Sequence, residues 1–343
     1  MTIDAPVTVA LGAALTAAAT LAAALLWDRF RAVGRTLLCV VVTLLLSATC
    51  ALQLNRLTVA YPSWSALVAA PSQEPALSTG LPVRPGGGRL LTVMVPGRAS
   101  GLTLTMGVYL PAAYDSPEGA GRRFPVIEMF HGYPGSPSTW VRRLKVVQHL
   151  DEEILAGRMA PTVVLLPYQT PRRLLDTECT NLARGPQTET FLTEDVAAYA
   201  TTHYRVRTDR AGWGLIGYSA GGFCAMNLAL RHPHRYAAAA SLSGDAGPGI
   251  AVGDGSENTT NNVAWRLQHL PQPRVAFYVA WAADDRESRD GSRAVVRLAR
   301  PPLTVTAVEL PGGGHSHSLW RRMESPALDW LSGRLARAVP VTG

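Results

Sequence analysis

The chain has 343 residues but only one lysine, Lys145; arginine supplies almost all of the 32 basic side chains set against 25 acidic ones. Those arginines are scattered, with no dense run and no interleaved aromatics, so the net charge of +7 does not mark a nucleic-acid-binding face. A solvated surface, able to face anionic lipid, accounts for it more simply. Cysteine is scarce too: there are four, with no C-x-x-C or Cys/His ligand spacing, and no zinc or other metal site is expected. The glycine runs Gly86–Gly88 and Gly312–Gly314 lack the Lys-Ser/Thr partner and the strand-Gly-helix setting of a phosphate loop. No cofactor is therefore expected. No internal repeat is visible, which excludes a repeat array.

Apolar residues make up 47 % of the chain, and their excess sits in the first 55 positions. Val7 to Trp27 and Thr36 to Leu54 are free of charge, and each is long enough to cross a hydrocarbon core as a helix. Between them lie Arg29, Arg31 and Arg35, which by the positive-inside tendency keep the short connection cytoplasmic. The N-terminus and everything beyond Leu54 then lie outside. A cleaved signal peptide is the alternative. However, Asp4 precedes the first run, no Lys or Arg does, and a second span follows. Residues 1–55 are expected to be a two-span anchor (7–27 and 36–54), multi-pass in the cell membrane and in contact with its lipids. Residues 56–88, rich in Pro, Ser and Gly, read as a linker. Residues 89–343 form the remaining domain.

In that domain short apolar runs alternate with longer amphipathic ones. Strands are predicted at Leu90–Val95, Leu102–Tyr109, Val126–Phe130, Val163–Pro167, Trp213–Gly217, Ala237–Leu242, Val275–Trp281 and Val305–Leu310. Helices are predicted at Trp140–Ala156, Glu194–His203, Gly222–Arg231, Arg286–Arg300 and Leu319–Ala338. Two antiparallel strands followed by β-α alternation imply an α/β fold with a mostly parallel sheet flanked by helices.

One stretch carries chemistry by its setting. Gly217-Tyr218-Ser219-Ala220-Gly221 reads G-x-S-x-G, with an apolar strand before it and an Ala/Leu-rich helix after it. Such a strand-to-helix turn pushes a serine hydroxyl out at the sheet edge, and its small neighbours let the turn close. A serine needs a base to be nucleophilic. In α/β-hydrolases the acid and then the histidine follow the serine in the chain. His315, directly after Gly312–Gly314, is the expected base, with His317 second. Histidines 149, 203, 232, 234 and 269 fall on helices or their ends. The acid is expected after the seventh strand, at Asp285 or alternatively Asp284, where it would orient His315. Backbone N–H groups of Ala220 and of Tyr133, in His131-Gly132-Tyr133-Pro134, are the candidate oxyanion donors. His131 props up that loop. Cys179 and Cys224 are a candidate disulfide if the domain lies outside the cytoplasm.

Further motifs occur in order: Glu189-Thr190-Phe191-Leu192-Thr193-Glu194-Asp195-Val196, Arg231-His232-Pro233, Ser241-Leu242-Ser243-Gly244, and Trp320 five residues past His315. From about Leu90 to Leu335 the chain resembles the esterase D / mycolyltransferase branch of the α/β-hydrolases. The resemblance implies a triad of Ser219, His315 and an acid, and it says nothing of the two apolar runs. Two positions depart from the mycolyltransferases. His131-Gly132 replaces an aspartate-glycine pair and looks more like carboxylesterases, feruloyl esterases and S-formylglutathione hydrolase; the acid is Asp, not Glu. The expected function is a membrane-anchored, extracytoplasmic serine esterase acting on an ester or acyl-lipid substrate through an acyl-enzyme. The alternative is an envelope acyltransferase using a sugar or lipid hydroxyl as acceptor. A catalytically silent binding domain fits less well, because no triad element is missing. Alkaline phosphatase fused after Gly88 is expected to be active; a silent reporter would place the domain in the cytoplasm.

Overall fold

The computed structural model describes residues 5–58, 85–172 and 174–341, together with Ile3, Tyr61, Trp64, Leu67 and Leu77. The chain divides into two compact units, Met1–Ala69 and Ala70–Gly343. Most of the expected linker falls outside the described residues.

The first unit is a helical hairpin. Pro6, which has no N–H to leave unpaired, opens helix α1 (Pro6–Leu26), and helix α2 (Ala32–Thr58) returns. At 1.5 Å per residue the 21 residues of α1 extend about 31 Å, the thickness of a bilayer core. Small residues let the two helices approach. A Cβ on Gly12 would sit 3.0 Å from Thr49 Oγ1, and the Thr16 and Thr49 hydroxyls are 3.1 Å apart. Leu15, Leu21, Leu25, Leu37 and Leu44 project outward, exposed. At the turn the Arg35 Nε donates to the Trp27 carbonyl. Both helices are thus long and apolar enough to cross a membrane.

The second unit is built on a sheet of eight strands: β1 (Arg89–Pro96), β2 (Thr103–Leu110), β3 (Val126–Phe130), β4 (Val163–Pro167), β5 (Trp213–Tyr218), β6 (Ala238–Leu242), β7 (Ala276–Ala282) and β8 (Thr304–Leu310). Their spatial order is β1-β2-β4-β3-β5-β6-β7-β8. The strand β2 pairs antiparallel with β1 and β4, and the rest of the sheet is parallel. All eight strands fall where the apolar runs put them, within a residue or two. Because side chains alternate along a strand, each strand feeds two cores. Leu215 packs on one face with Phe223 and Leu228; Ile216 and Tyr218 pack on the other with Leu319, Met323 and Leu331.

Helices depart from expectation more than strands do. The expected Trp140–Ala156 helix is broken at Lys145, whose φ of 67° lies in the left-handed region; a wide turn precedes it and α3 (Val146–Leu155) follows. Glu194–His203 likewise begins in a wide turn before α4 (Val196–His203). Helix α5 (Ala220–Arg231) starts directly after Ser219. Helix α6 (Val263–His269) was not anticipated, although Asn262 caps it by accepting the Trp265 N–H at 3.0 Å. Helix α7 (Arg289–Leu298) starts three residues later than expected, because Asp285 and Ser288 are engaged with each other. Helix α8 (His317–Arg334) is capped by Ser316.

Cys179 is disulfide-bonded to Cys224 of α5, while Cys39 and Cys50 are free and exposed on α2. The bridge closes a span of 45 residues, a constraint that typically contributes about 2–4 kcal/mol. Under denaturing, non-reducing conditions two thiols should titrate, rising to four after reduction; four at the outset would rule the bridge out.

Candidate active site

Strand β5 lies at the middle of the sheet with every residue buried, and it ends at Tyr218. The next residue, Ser219, has φ 54° and ψ −128°, a conformation that side-chain-bearing residues rarely adopt. The turn closes only because its neighbours are glycines. A Cβ on Gly217 would meet the Gly221 carbonyl oxygen at 2.0 Å, and one on Gly221 would meet the Phe130 carbonyl oxygen at 2.2 Å. The Ser219 N–H donates to the Leu242 carbonyl, and its own carbonyl accepts from Gly222 and Phe223. The hydroxyl is thereby held clear of the backbone, at the start of α5.

His315 reaches it from the loop after β8. Ser219 Oγ lies 2.7 Å from His315 Nε2, and both Asp285 carboxylate oxygens lie 3.1 Å from His315 Nδ1. Asp285 is buried and also accepts from the Ser288 hydroxyl at 2.7 Å. Burial alone would raise its pKa. The hydrogen bonds from His315 and Ser288 outweigh that and hold the carboxyl well below the usual range. With Asp285 ionised, Nδ1 carries the imidazole proton and Nε2 accepts from the serine hydroxyl. Asp284 points elsewhere. It is exposed and accepts the N–H groups of Gly313 and Gly314 at 3.2 and 3.0 Å, holding the glycine loop that delivers His315. His317 lies away from Ser219, its ring against those of Tyr218 and Trp320; burial and the nearby Arg143 and Arg321 lower its pKa to about 4.

The loop after β3 faces the elbow. A Cβ on Gly132 would meet the Tyr218 ring at 2.8 Å and Ser219 Cβ at 3.1 Å, so the backbone can pass only as glycine. Gln169 fixes the loop from β4: its Oε1 accepts the His131 N–H at 2.9 Å and its Nε2 donates to the His131 carbonyl at 2.7 Å. His131 is fully buried, and that burial lowers its pKa to about 4, so the ring is neutral near pH 7. The backbone N–H groups of Tyr133 and Ala220 have no acceptor among the described residues. Both residues line a cavity of about 180 Å³ shared with Ser219 and His315.

Sequence reasoning missed four carboxyl side chains on the same cavity: Asp176, Glu178, Asp245 and Glu287. Their only sequence signal is position, since each follows a strand at the C-terminal edge of the parallel sheet. The Glu189 and Arg231-His232 motifs belong together for another reason. Glu189, buried, accepts from Arg231 Nε and His232 Nε2, each at 2.7 Å, and ties the C-terminal end of α5 to the approach to α4. Among the described residues no group of His, Cys, Asp and Glu is arranged to hold a metal ion.

A mostly parallel sheet with this strand order, a serine elbow after its fifth strand and an acid and histidine after its seventh and eighth defines the α/β-hydrolase fold. A family model described as "Putative esterase" matches residues 98–334, and the chain belongs to that esterase family. It is 22 % identical over 249 residues to an uncharacterized protein of Corynebacterium glutamicum, covering 66 % of this chain and 56 % of the relative. It is 20 % identical over 239 residues to an endo-1,4-beta-xylanase/feruloyl esterase of Xylanibacter ruminicola, covering 68 % of this chain and 30 % of the relative. The chain thus spans about half the length of the first of these relatives and under a third of the second. Among solved structures it is similar to a ferulic acid esterase (TM-score 0.63, 19 % identity, 74 % of this chain and 100 % of that one). It is also similar to an S-formylglutathione hydrolase from Agrobacterium tumefaciens (TM-score 0.61, 17 % identity, 74 % and 98 %). At these identities the likeness is one of fold.

The two aspartates can be separated by experiment. Asp285→Asn should lower kcat/KM for p-nitrophenyl butyrate by about 10³–10⁴-fold, through loss of the correct imidazole tautomer. Asp284→Asn should cost less than about tenfold, because the glycine loop is held but not charged by it. The reverse ranking would reassign the acid.

Proposed function

We propose that this protein is a serine esterase that hydrolyses carboxylic esters through an acyl-enzyme on Ser219. The observation that carries the reading is the relay from Ser219 Oγ to His315 Nε2 and from Nδ1 to Asp285, opening on a cavity. His315 takes the hydroxyl proton as Ser219 attacks the ester carbonyl, then returns it to the departing alcohol. The N–H groups of Tyr133 and Ala220 stabilise the tetrahedral oxyanion. Water, deprotonated by His315, then resolves the acyl-enzyme. Family membership and the feruloyl esterase relative support ester hydrolysis.

Residues 1–55 act as a two-span membrane anchor, 56–88 as a linker and 89–343 as the catalytic domain, on the outer side of the membrane. The apolar helices and the arginines at their turn support this placement, and a disulfide suits a compartment that is oxidising. A second reading, acyl transfer to a sugar or lipid hydroxyl, is favoured by the same helices, which would hold the site beside lipidic donors and acceptors. Mass spectrometry of products with and without acceptor glycolipids separates the two.

Ser219→Ala should reduce hydrolysis of p-nitrophenyl butyrate by at least about 10⁴-fold and abolish labelling by a fluorophosphonate probe. Comparable turnover in the variant would refute the assignment of the nucleophile.

A further inference from the structure

Beyond the relay of Ser219, His315 and Asp285, four further carboxyls line the cavity, and one of them, Glu287, reaches to 3.6 Å from His315 Nε2. Asp176 and Glu178 come from the segment after β4, Asp245 follows β6, and Glu287 follows β7. Among the described residues no arginine or lysine lines the cavity, although the chain as a whole carries a net charge of +7. Among the described residues, Asp176, Glu178 and Asp245 form no ion pair with any basic side chain. Glu189, by contrast, is buried and paired with Arg231 and His232.

Glu178 is the most buried of the four. It is only 8 % exposed, lines the cavity, and its Oε2 has no hydrogen-bond partner among the described residues. A buried carboxyl oxygen without a donor is costly, so such groups call for a partner supplied from outside the chain. Burial first, then the negative charge of Asp176, raises the Glu178 pKa well above the carboxylate range, and burial raises that of Asp176; a cation bound beside them would favour the ionised forms again. The position is enforced by the backbone. Glu178 (φ 44°) and Cys179 (φ 53°) are both non-glycine residues in the left-handed region, and Cys179 is bonded to Cys224 on the helix that begins after Ser219. The Asp176 carboxylate accepts the Glu178 N–H at 3.0 Å, closing the turn that presents both side chains. The disulfide therefore fixes two carboxyls beside the reacting serine.

Tyr133 and Phe223 line the same cavity. Carboxyls spread over three loops, with no metal-holding convergence among the described residues, match an extended organic cation better than a metal ion.

We propose that Asp176, Glu178 and Asp245 form a subsite for an organic cation, and that the substrates of Ser219 are esters carrying an ammonium or guanidinium group near the scissile carbonyl. This rests on the serine-esterase reading above and narrows its substrate class. The cation places positive charge beside these carboxyls, and so orients the ester with its carbonyl toward Tyr133 and Ala220.

The test uses the full-length protein in detergent and a pair of esters of one shape, butyrylcholine and 3,3-dimethylbutyl butyrate, which differ in a charged nitrogen against a neutral carbon. The wild type should favour the cationic ester in kcat/KM by at least about tenfold, or ~1.4 kcal/mol. Glu178→Gln should bring that ratio to within about twofold of unity, chiefly through KM, whereas Asp254→Asn on the distant surface should leave it in place. Fluorophosphonate labelling of Ser219 checks that each variant is folded. If Glu178→Gln does not fold, the ratio in Asp245→Asn and competitive inhibition of the wild type by choline serve instead. A wild-type ratio at or below one, with the neutral ester still hydrolysed, overturns the subsite and leaves the esterase intact. A ratio unchanged in folded Glu178→Gln, or a preference for glycerol or glucose butyrate that this variant loses, overturns it too. Absence of both ester turnover and probe labelling would instead sink the esterase reading itself.

Discussion

The second unit depends on one backbone conformation, that of Ser219. A residue with φ near +54° at the end of a buried strand is unfavourable by about 1–3 kcal/mol, and it persists only where its surroundings leave no other choice. Here the surroundings are backbone: Gly221 lies against the Phe130 carbonyl, Gly217 against Gly221, and the Ser219 N–H on Leu242. Strands β3, β5 and β6 must therefore stand in fixed register before the serine can be presented. The register supplies that, with Phe130 opposite Gly217 and Tyr218 opposite Leu242. The same crowding starts α5 at the cavity, where the Ala220 N–H has no acceptor among the described residues.

The neighbours of the elbow are adapted to it in turn. Adjacent aspartates divide two tasks: Asp285 turns inward to the imidazole, and Asp284 turns outward to the glycine loop that carries it. Glu189 gathers Arg231 and His232 at the far end of α5, so the helix behind the serine is fixed at both ends, by the elbow and by this buried ion cluster. The Cys179–Cys224 bond adds a third attachment, in the first turns of that helix.

Much of this architecture is legible in the sequence, and the physical reason is periodicity. Strands such as Val163–Pro167 and Trp213–Tyr218 are buried on both faces, so they stand out as short apolar runs bounded by turn residues. The resemblance to esterases is borne out by the family match. Helix boundaries are harder, because a single residue such as Lys145 adopting a left-handed conformation is decided by how Trp140 and Leu144 bury, not by local propensity. The Asn262 cap of α6 is readable but sits in a polar, glycine-rich stretch that masks it. Sequence alone does not separate Asp284 from Asp285, since adjacent carboxylates differ only in which way the chain turns them. The carboxyl wall is invisible for a different reason: Asp176 with Glu178, Asp245 and Glu287 come from three separate segments and meet only once the strand order is known.

Gln169 carries a further implication. By bonding both the N–H and the carbonyl of His131, it substitutes for a neighbouring strand at the point where β3 runs out. The start of the loop beyond His131 is thus tied to a side chain just past the end of β4. Such a loop has latitude. Exchanges from Tyr133 onward can reshape what the serine meets while the origin of the loop stays in place, which makes this segment the natural ground on which related chains would diverge in the molecules they accept.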